Sequence, residues 1–155
     1  SGVSSQTPFM CQTTFGLKPF RVTCTTLTAI VARPSWDEYF LGIAKAVSLR
    51  ADCTRRRVGA VIVVDGRIVS TGYNGAPAGA PGCLSAGACP RGKLTYEQQP
   101  ADRDYGLCVA VHAEANALLY AYRDVRGATL YCTDKPCVDC AKLIAGAGIK
   151  EVVWN

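Results

Sequence analysis

The chain has 155 residues, a length that suits one domain with a real core. Its 49% hydrophobic and 19% charged residues exclude intrinsic disorder, and no apolar run is long enough to cross a membrane as a helix. The formal charge of +5 suits an anionic ligand such as a nucleotide phosphate; outside Arg55-Arg56-Arg57 the basic residues are scattered, which argues against a nucleic-acid groove.

Residues 1–32 show no sustained period and read as an appendage, with Ser1-Gly2 as a tag-derived remnant. The segment KPFRVTCTTLTAIVA places basic residues before a weakly apolar run. Threonines interrupt it and it starts too far from the N-terminus for a secretory signal, so a cytoplasmic protein is expected. An extra strand over Phe20–Ile30 is the alternative reading of this segment.

The domain is expected over residues 33–155. Ser35 followed by Glu38 is a capping box, and Phe40, Ile43, Ala44 and Val47 then recur at helical spacing, predicting a helix over 35–50. Two β-rich runs, 58–64 and 67–72, flank Asp65-Gly66, a hairpin signal. The first is nearly all apolar, as a strand buried on both faces would be. Residues 76–107 collect glycine, proline and cysteine with no period, too long for an ordinary connection. A helix over 111–123, a strand over 128–133, a helix opened by PCVDC and a last strand at KEVVW complete the pattern. Pro136 suits the first turn of that helix, and Gly146 and Gly148 its end. Short strands alternating with helices predict an α/β fold of three layers.

Nine cysteines, Cys11, Cys24, Cys53, Cys83, Cys89, Cys108, Cys132, Cys137 and Cys140, allow either a secreted disulfide framework or thiolate metal sites. The odd count and the large apolar core favour metal. The single histidine, His112, is by itself as well read as a packed core residue, and Glu114 as a first-turn acid favoured by the helix dipole. PCVDC changes both readings. His112, Cys137 and Cys140 supply one nitrogen and two sulfurs, the donors of a catalytic zinc with its fourth position open. The i, i+3 spacing puts both sulfurs on one side of a helix start, where thiolates are favoured. Glu114, two residues from the histidine, is placed to shuttle protons. A lone CxxC is a weak signal, but joined to HAE on two successive helix starts it is a specific one.

On HAEANAL, TDKPCVDC, VGAVIV and GYNGAPAG followed by a cysteine-bearing insert, the chain resembles the cytidine and deoxycytidylate deaminase superfamily from about Arg33 to Asn155, and within it the deoxycytidylate (dCMP) deaminases. The resemblance implies a three-layer α/β/α cytidine deaminase-like fold with a central mixed sheet, whose final helix and strand are missing here. It implies zinc-dependent hydrolysis of dCMP to dUMP, supplying dUMP for thymidylate synthesis. Glu114 would be the catalytic proton carrier, and His112, Cys137 and Cys140 the zinc ligands. Substrate contacts fall to Asn74 at the sugar, to one of Arg55, Arg56 and Arg57 at the phosphate, with Arg57 taken as that contact, to Tyr131 at the base, and to Ala113; each arginine of the triplet is equally read as part of a solvated charge cluster. Asn74-Gly75 also makes a turn for backbone reasons alone, and Tyr131 is equally a core aromatic. A second, structural zinc is implied for Cys53, Cys83, Cys89 and Cys108; buried thiols or a disulfide are the alternative. Cys132 reads as a small core residue, and Ala117, Leu118, Tyr120 and Ala121 as packing that fixes the first turn of their helix in place. The resemblance further implies a homo-oligomer, often a hexamer, with dCTP and dTTP as effectors near the GYNG loop. A modified pyrimidine nucleotide as substrate, and a zinc protein that binds nucleic acid without catalysis, are the competing readings.

Overall fold

The computed structural model describes residues 33–87, 89 and 108–155. The appendage with Cys11 and Cys24, the strand proposed for Phe20–Ile30 and most of the insert lie outside them.

Helix α1, Trp36–Ser48, begins where the capping box predicts: Glu38 N–H donates to Ser35 Oγ at 3.2 Å, and Ser35 N–H donates to the Glu38 carboxylate at 2.7 Å. Phe40, Ala44 and Ser48, four residues apart, form its buried stripe. Strands β1, Gly59–Val64, and β2, Arg67–Tyr73, form an antiparallel hairpin. Asp65 and Gly66 turn it with φ of 51° and 71°, the left-handed pair such a turn demands. The register slips by one residue between Ile62 and Val63.

Strand β3, Thr129–Cys132, runs antiparallel to β1, and strand β4, Glu151–Trp154, runs parallel to β3. The order is β2-β1-β3-β4, a mixed sheet with β1 and β3 inside. Alternation along these two strands sorts the core. Val61, Val63 and Tyr131 face Phe40 and Ala44 of α1. Ala60, Ile62, Leu130 and Cys132 face helices α2, Ala113–Leu119, and α3, Val138–Gly146. Three layers result, as expected. Side chains such as Ile62 and Leu130, wholly removed from water, each stabilise the fold by about 1.5–3 kcal/mol.

Both principal helices sit on glycine. A Cβ at Gly59 would stand 2.1 Å from the Ala44 carbonyl oxygen of α1, and one at Gly72 would stand 2.2 Å from the Ala113 carbonyl oxygen of α2. These helices therefore touch the sheet backbone to backbone.

The predicted helix over 111–123 is shorter at both ends. Val111 is extended and exchanges backbone hydrogen bonds with Gly75, so α2 opens only after His112. At the far end Tyr120 and Tyr122 are exposed, and with no apolar surface to cover the helix stops at Leu119. Tyr120 is thus not the packing residue its position suggested, whereas Ala117 is buried and Leu118 and Ala121 pack on the core. Pro136 precedes the α3 cap and does not lie in its first turn. The N-cap is Cys137 itself.

Candidate active site

Two helix starts meet at one end of the sheet. His112 is the N-cap of α2, with φ −69° and ψ 154°, and Cys137 is the N-cap of α3, with φ −72° and ψ 170°. Each cap residue has extended backbone, which aims its side chain forward of the helix. The Val111–Gly75 bridge and an Asn116 Nδ2–H bond to the Tyr73 carbonyl, 2.8 Å, pin α2 to the end of β2. The first α3 bond, Ala141 N–H to the Cys137 carbonyl at 2.8 Å, fixes the other side.

His112 Nδ1 lies 3.4 Å from the sulfurs of both Cys137 and Cys140. A tetrahedral zinc with ordinary Zn–N and Zn–S bonds would set those separations at about 3.6 Å. Among the described residues, this trio is the one group of three or more such ligands whose donor atoms all lie within 4.8 Å. The soft N,S₂ donor set and its spacing therefore fit zinc. Burial, then the neighbouring Glu114, pushes the Cys140 thiol well up from its ordinary value. A bound cation favours the thiolate form of such a ligand.

Glu114, in the first turn of α2, is 4% exposed. Burial raises its pKa above the ordinary carboxyl value; its own backbone N–H, His112 and Cys140 pull the other way, and Asp134 adds to the rise. A cavity of about 250 Å³ opens beside it, lined by His112, Ala113, Glu114 and Cys137 together with Asn74, Val58, Arg55, Arg56, Asp134 and Lys135. A closed structural site would have no such opening; a catalytic one requires it.

Not every expected contact is there. Tyr131 lies on the opposite face of the sheet, its ring packed against Phe40 at a 36° tilt and its hydroxyl 3.0 Å from Asp37 Oδ1. It cannot line the base pocket, because the neighbours that do face the site layer on β3 are Leu130 and Cys132. Arg57 lines a second hollow with Arg50, Tyr73 and Gly75, whereas Arg55, Arg56 and Val58 line the first. Asn74 does reach the catalytic cavity, but two of its hydrogen bonds brace the entry to β1: Oδ1 accepts from Val58 N–H at 2.8 Å and Nδ2 donates to the Arg56 carbonyl at 2.9 Å. Ala113 is buried on the cavity wall.

Cys53, Cys83, Cys89 and Cys108 line the same cavity as His112 and Cys137, although no three of their sulfurs meet the 4.8 Å spacing. Cys83 is surrounded by the others: burial, a hydrogen bond with Cys89, and the charges of Cys89, Cys53 and Cys108 push it up to about 11. Asp52 anchors the start of the insert, accepting from the N–H groups of Leu84 at 2.8 Å and Ser85 at 3.2 Å and from Ser85 Oγ at 2.9 Å. Sequence reading missed Asp52 and Asp134. Each is a lone polar residue whose partner comes from a distant segment, and no local pattern announces it.

Two cysteine sulfurs and one imidazole nitrogen, with a buried glutamate beside a cavity, define a zinc-dependent deaminase site of the class that hydrolyses nucleobase amino groups. The chain belongs to the family described as the cytidine and deoxycytidylate deaminase zinc-binding region, whose model matches residues 34–155. It is 56% identical over 127 residues to the deoxycytidylate deaminase of Mycobacterium phage D29, covering 80% of this chain and 97% of that one. It is 44% identical over 125 residues to the deoxycytidylate deaminase of Schizosaccharomyces pombe, covering 79% of this chain but 38% of that longer protein. The dCMP deaminase of cyanophage S-TIM5, solved in complex with dCMP and dUMP, superposes with a TM-score of 0.60 at 31% identity, covering 79% of this chain and 82% of that one.

Proposed function

We propose that the protein hydrolyses dCMP to dUMP and ammonia, with zinc held by His112 Nδ1 and the sulfurs of Cys137 and Cys140. The observation that carries this reading is that those three donor atoms lie within 4.8 Å of one another, with His112, Cys137 and the buried Glu114 lining one cavity. Bound there, zinc supplies Lewis-acid activation of water. The rest falls to the chain. Glu114, whose pKa burial raises, accepts the proton the water loses and delivers it to ring N3; it then takes the proton of the hydroxyl added at C4 and delivers it to the amine, which leaves as ammonia. Ala113 shapes the wall against the base. Asn74 keeps a second Nδ2 hydrogen for the sugar. Of the basic triplet, Arg55 and Arg56 border the cavity and serve the phosphate better than Arg57. A panel of dCMP, CMP, dCTP, cytidine, guanine and tRNA, read by ammonia release, tests the assignment. Activity on a free base with none on dCMP would overturn it.

The insert cysteines support a second, structural zinc. Cys53, Cys89 and Cys108 gather around Cys83, and a metal would order a segment that has no core of its own. Two zinc ions per chain in the reduced, loaded protein is the expected content; one would refute the second site. Such thiolate sites need a reducing compartment, which supports the cytoplasm as location.

The second hollow, with Arg50, Arg57, Tyr73 and Gly75, has the cationic and aromatic lining that dCTP or dTTP would need, and it borders the GYNG loop. A change in rate at subsaturating dCMP on adding either nucleotide is the check. Leu119, Tyr120 and Tyr122, exposed together at the end of α2, favour a homo-oligomer, measurable by light scattering.

A further inference from the structure

Besides Glu114, the lining of the catalytic cavity holds one other carboxylate, Asp134, and the chemistry above leaves it without a task. Asp134 belongs to the loop between β3 and α3. Its carboxylate forms an ion pair with the guanidinium of Arg56, from the segment before β1. The pair therefore joins two walls of the cavity.

Both partners are braced. Thr133 Oγ1 donates to Asp134 at 3.3 Å, and Thr133 is tied to Gly59 by bonds of 3.1 and 3.0 Å. The Arg56 carbonyl accepts from Asn74 Nδ2 at 2.9 Å, and its N–H donates to Cys53 Sγ at 3.5 Å. The Arg56 side chain is 73% exposed and that of Asp134 is 19% exposed. An ion pair with so exposed a partner contributes little to stability, so stability does not explain it. Nor does a bare carboxylate suit the wall of a cavity that admits a phosphate, because like charges repel at short range. Paired, its charge is offset by arginine, whose planar fork carries five N–H donors, more than one carboxylate uses.

We infer that Asp134 is a positioning residue: it holds Arg56 across the cavity so that the remaining guanidinium N–H groups meet the substrate's 5′-phosphate, and the site thereby selects nucleotide over nucleoside. This rests on dCMP being the substrate. Removing one charge-assisted hydrogen bond to the phosphate weakens binding about 10- to 100-fold.

The test measures KM and kcat for dCMP and deoxycytidine, and dUMP binding by calorimetry. It compares the wild type with Asp134→Asn, Asp134→Glu, Arg56→Gln and the double variant Asp134→Asn/Arg56→Gln, each checked for folding and zinc content. Asp134→Asn and Arg56→Gln should each raise KM for dCMP and Kd for dUMP by about 10- to 100-fold, with kcat held within about 3-fold. The preference for dCMP over deoxycytidine should fall by the same factor. The double variant should be no worse than Arg56→Gln, and Asp134→Glu should recover most of the preference. Should Asp134→Asn not fold, Asp134→Ser with the same readouts decides. Unchanged KM and Kd, a lower KM in Asp134→Asn, additive losses in the double variant, or a fall in kcat at constant KM (which would make Glu114 the group that Asp134 serves) each overturns the inference. A zinc-loaded wild type that deaminates neither compound refutes the dCMP assignment as well; one that deaminates dCMP while the variants keep its KM refutes the inference alone.

Discussion

Replacing Gly72 with alanine tests whether the sheet sets the position of the catalytic helix. The added Cβ would lie 2.2 Å from the Ala113 carbonyl oxygen and 2.4 Å from the Ala117 N–H nitrogen, both backbone atoms of α2. Real Cβ contacts essentially never fall below 3.0 Å, so helix and strand must part by at least the difference from 2.2 Å, about 0.8 Å. No side-chain rotation relieves a clash with backbone. Overpacking of this kind costs about 1–3 kcal/mol of stability. The same displacement carries His112 and Glu114 with α2, and a misplacement near 1 Å costs about 100-fold in rate. Gly59→Ala is the control. Its Cβ would stand 2.1 Å from the Ala44 carbonyl oxygen of α1, a helix that carries no residue of the site. Urea melts and dCMP turnover on both zinc-loaded variants form the assay. Gly72→Ala should lose stability and about 100-fold in kcat, while Gly59→Ala loses comparable stability and less than about 10-fold in kcat. A Gly72→Ala enzyme within about 3-fold of wild type, or equal kcat losses in the two variants, would refute the reasoning.

Glu114→Gln removes the proton carrier and keeps the side chain's shape. It should lower kcat by about 10²–10⁴-fold with the zinc content of the wild type, and equal turnover would exclude Glu114 from proton transfer. Chelation should abolish turnover and lower the melting temperature together, since the metal joins the starts of α2 and α3; a melt unmoved by chelation would show that the trio does not bind metal. Burial, then the hydrogen bond to Asp37, pushes the Tyr131 phenol up to about 12 from 10.0. A raised folded-state pKa contributes stability that is fully present below pH 10 and is lost as pH rises toward 12. That loss is on the order of 2–3 kcal/mol. Denaturant titrations from pH 9 to 12 should show it in the wild type and not in Tyr131→Phe, whose kcat should match wild type because Tyr131 lies across the sheet from the site. An equal decline in both proteins would assign the loss to another group.

Much of the scaffold is written locally. The Ser35–Glu38 box, the Asp65-Gly66 turn and the apolar run of β1 each act through neighbours in sequence, and the structure places α1 and the hairpin within a residue or two of expectation. HAE and PCVDC could be joined because zinc demands a fixed donor set, a chemical constraint that reaches across 25 residues where periodicity does not. The misses share a physical cause. Leu130, Tyr131 and Cys132 are all buried, so β3 offers no polar-apolar alternation to say which face Tyr131 takes. The three arginines of the triplet are alike in composition, and only the fold puts Arg55 and Arg56 at the catalytic cavity and Arg57 at the second hollow. The helix opened by HAE stops at Leu119 because exposed Tyr120 and Tyr122 have nothing to cover. Gly72, the contact on which α2 rests, looks in sequence like any strand glycine.

The most direct measurement is the fate of dCMP with zinc-loaded protein, with protein stripped of metal, and with His112→Ala, followed by simultaneous determination of dUMP and ammonia. The zinc-loaded protein should yield dUMP and ammonia in equal amounts, and the other two should leave dCMP unchanged. Intact dCMP with folded, zinc-replete protein, or undiminished turnover by His112→Ala, would contradict the assignment of His112, Cys137, Cys140 and Glu114 as a hydrolytic dCMP deaminase site.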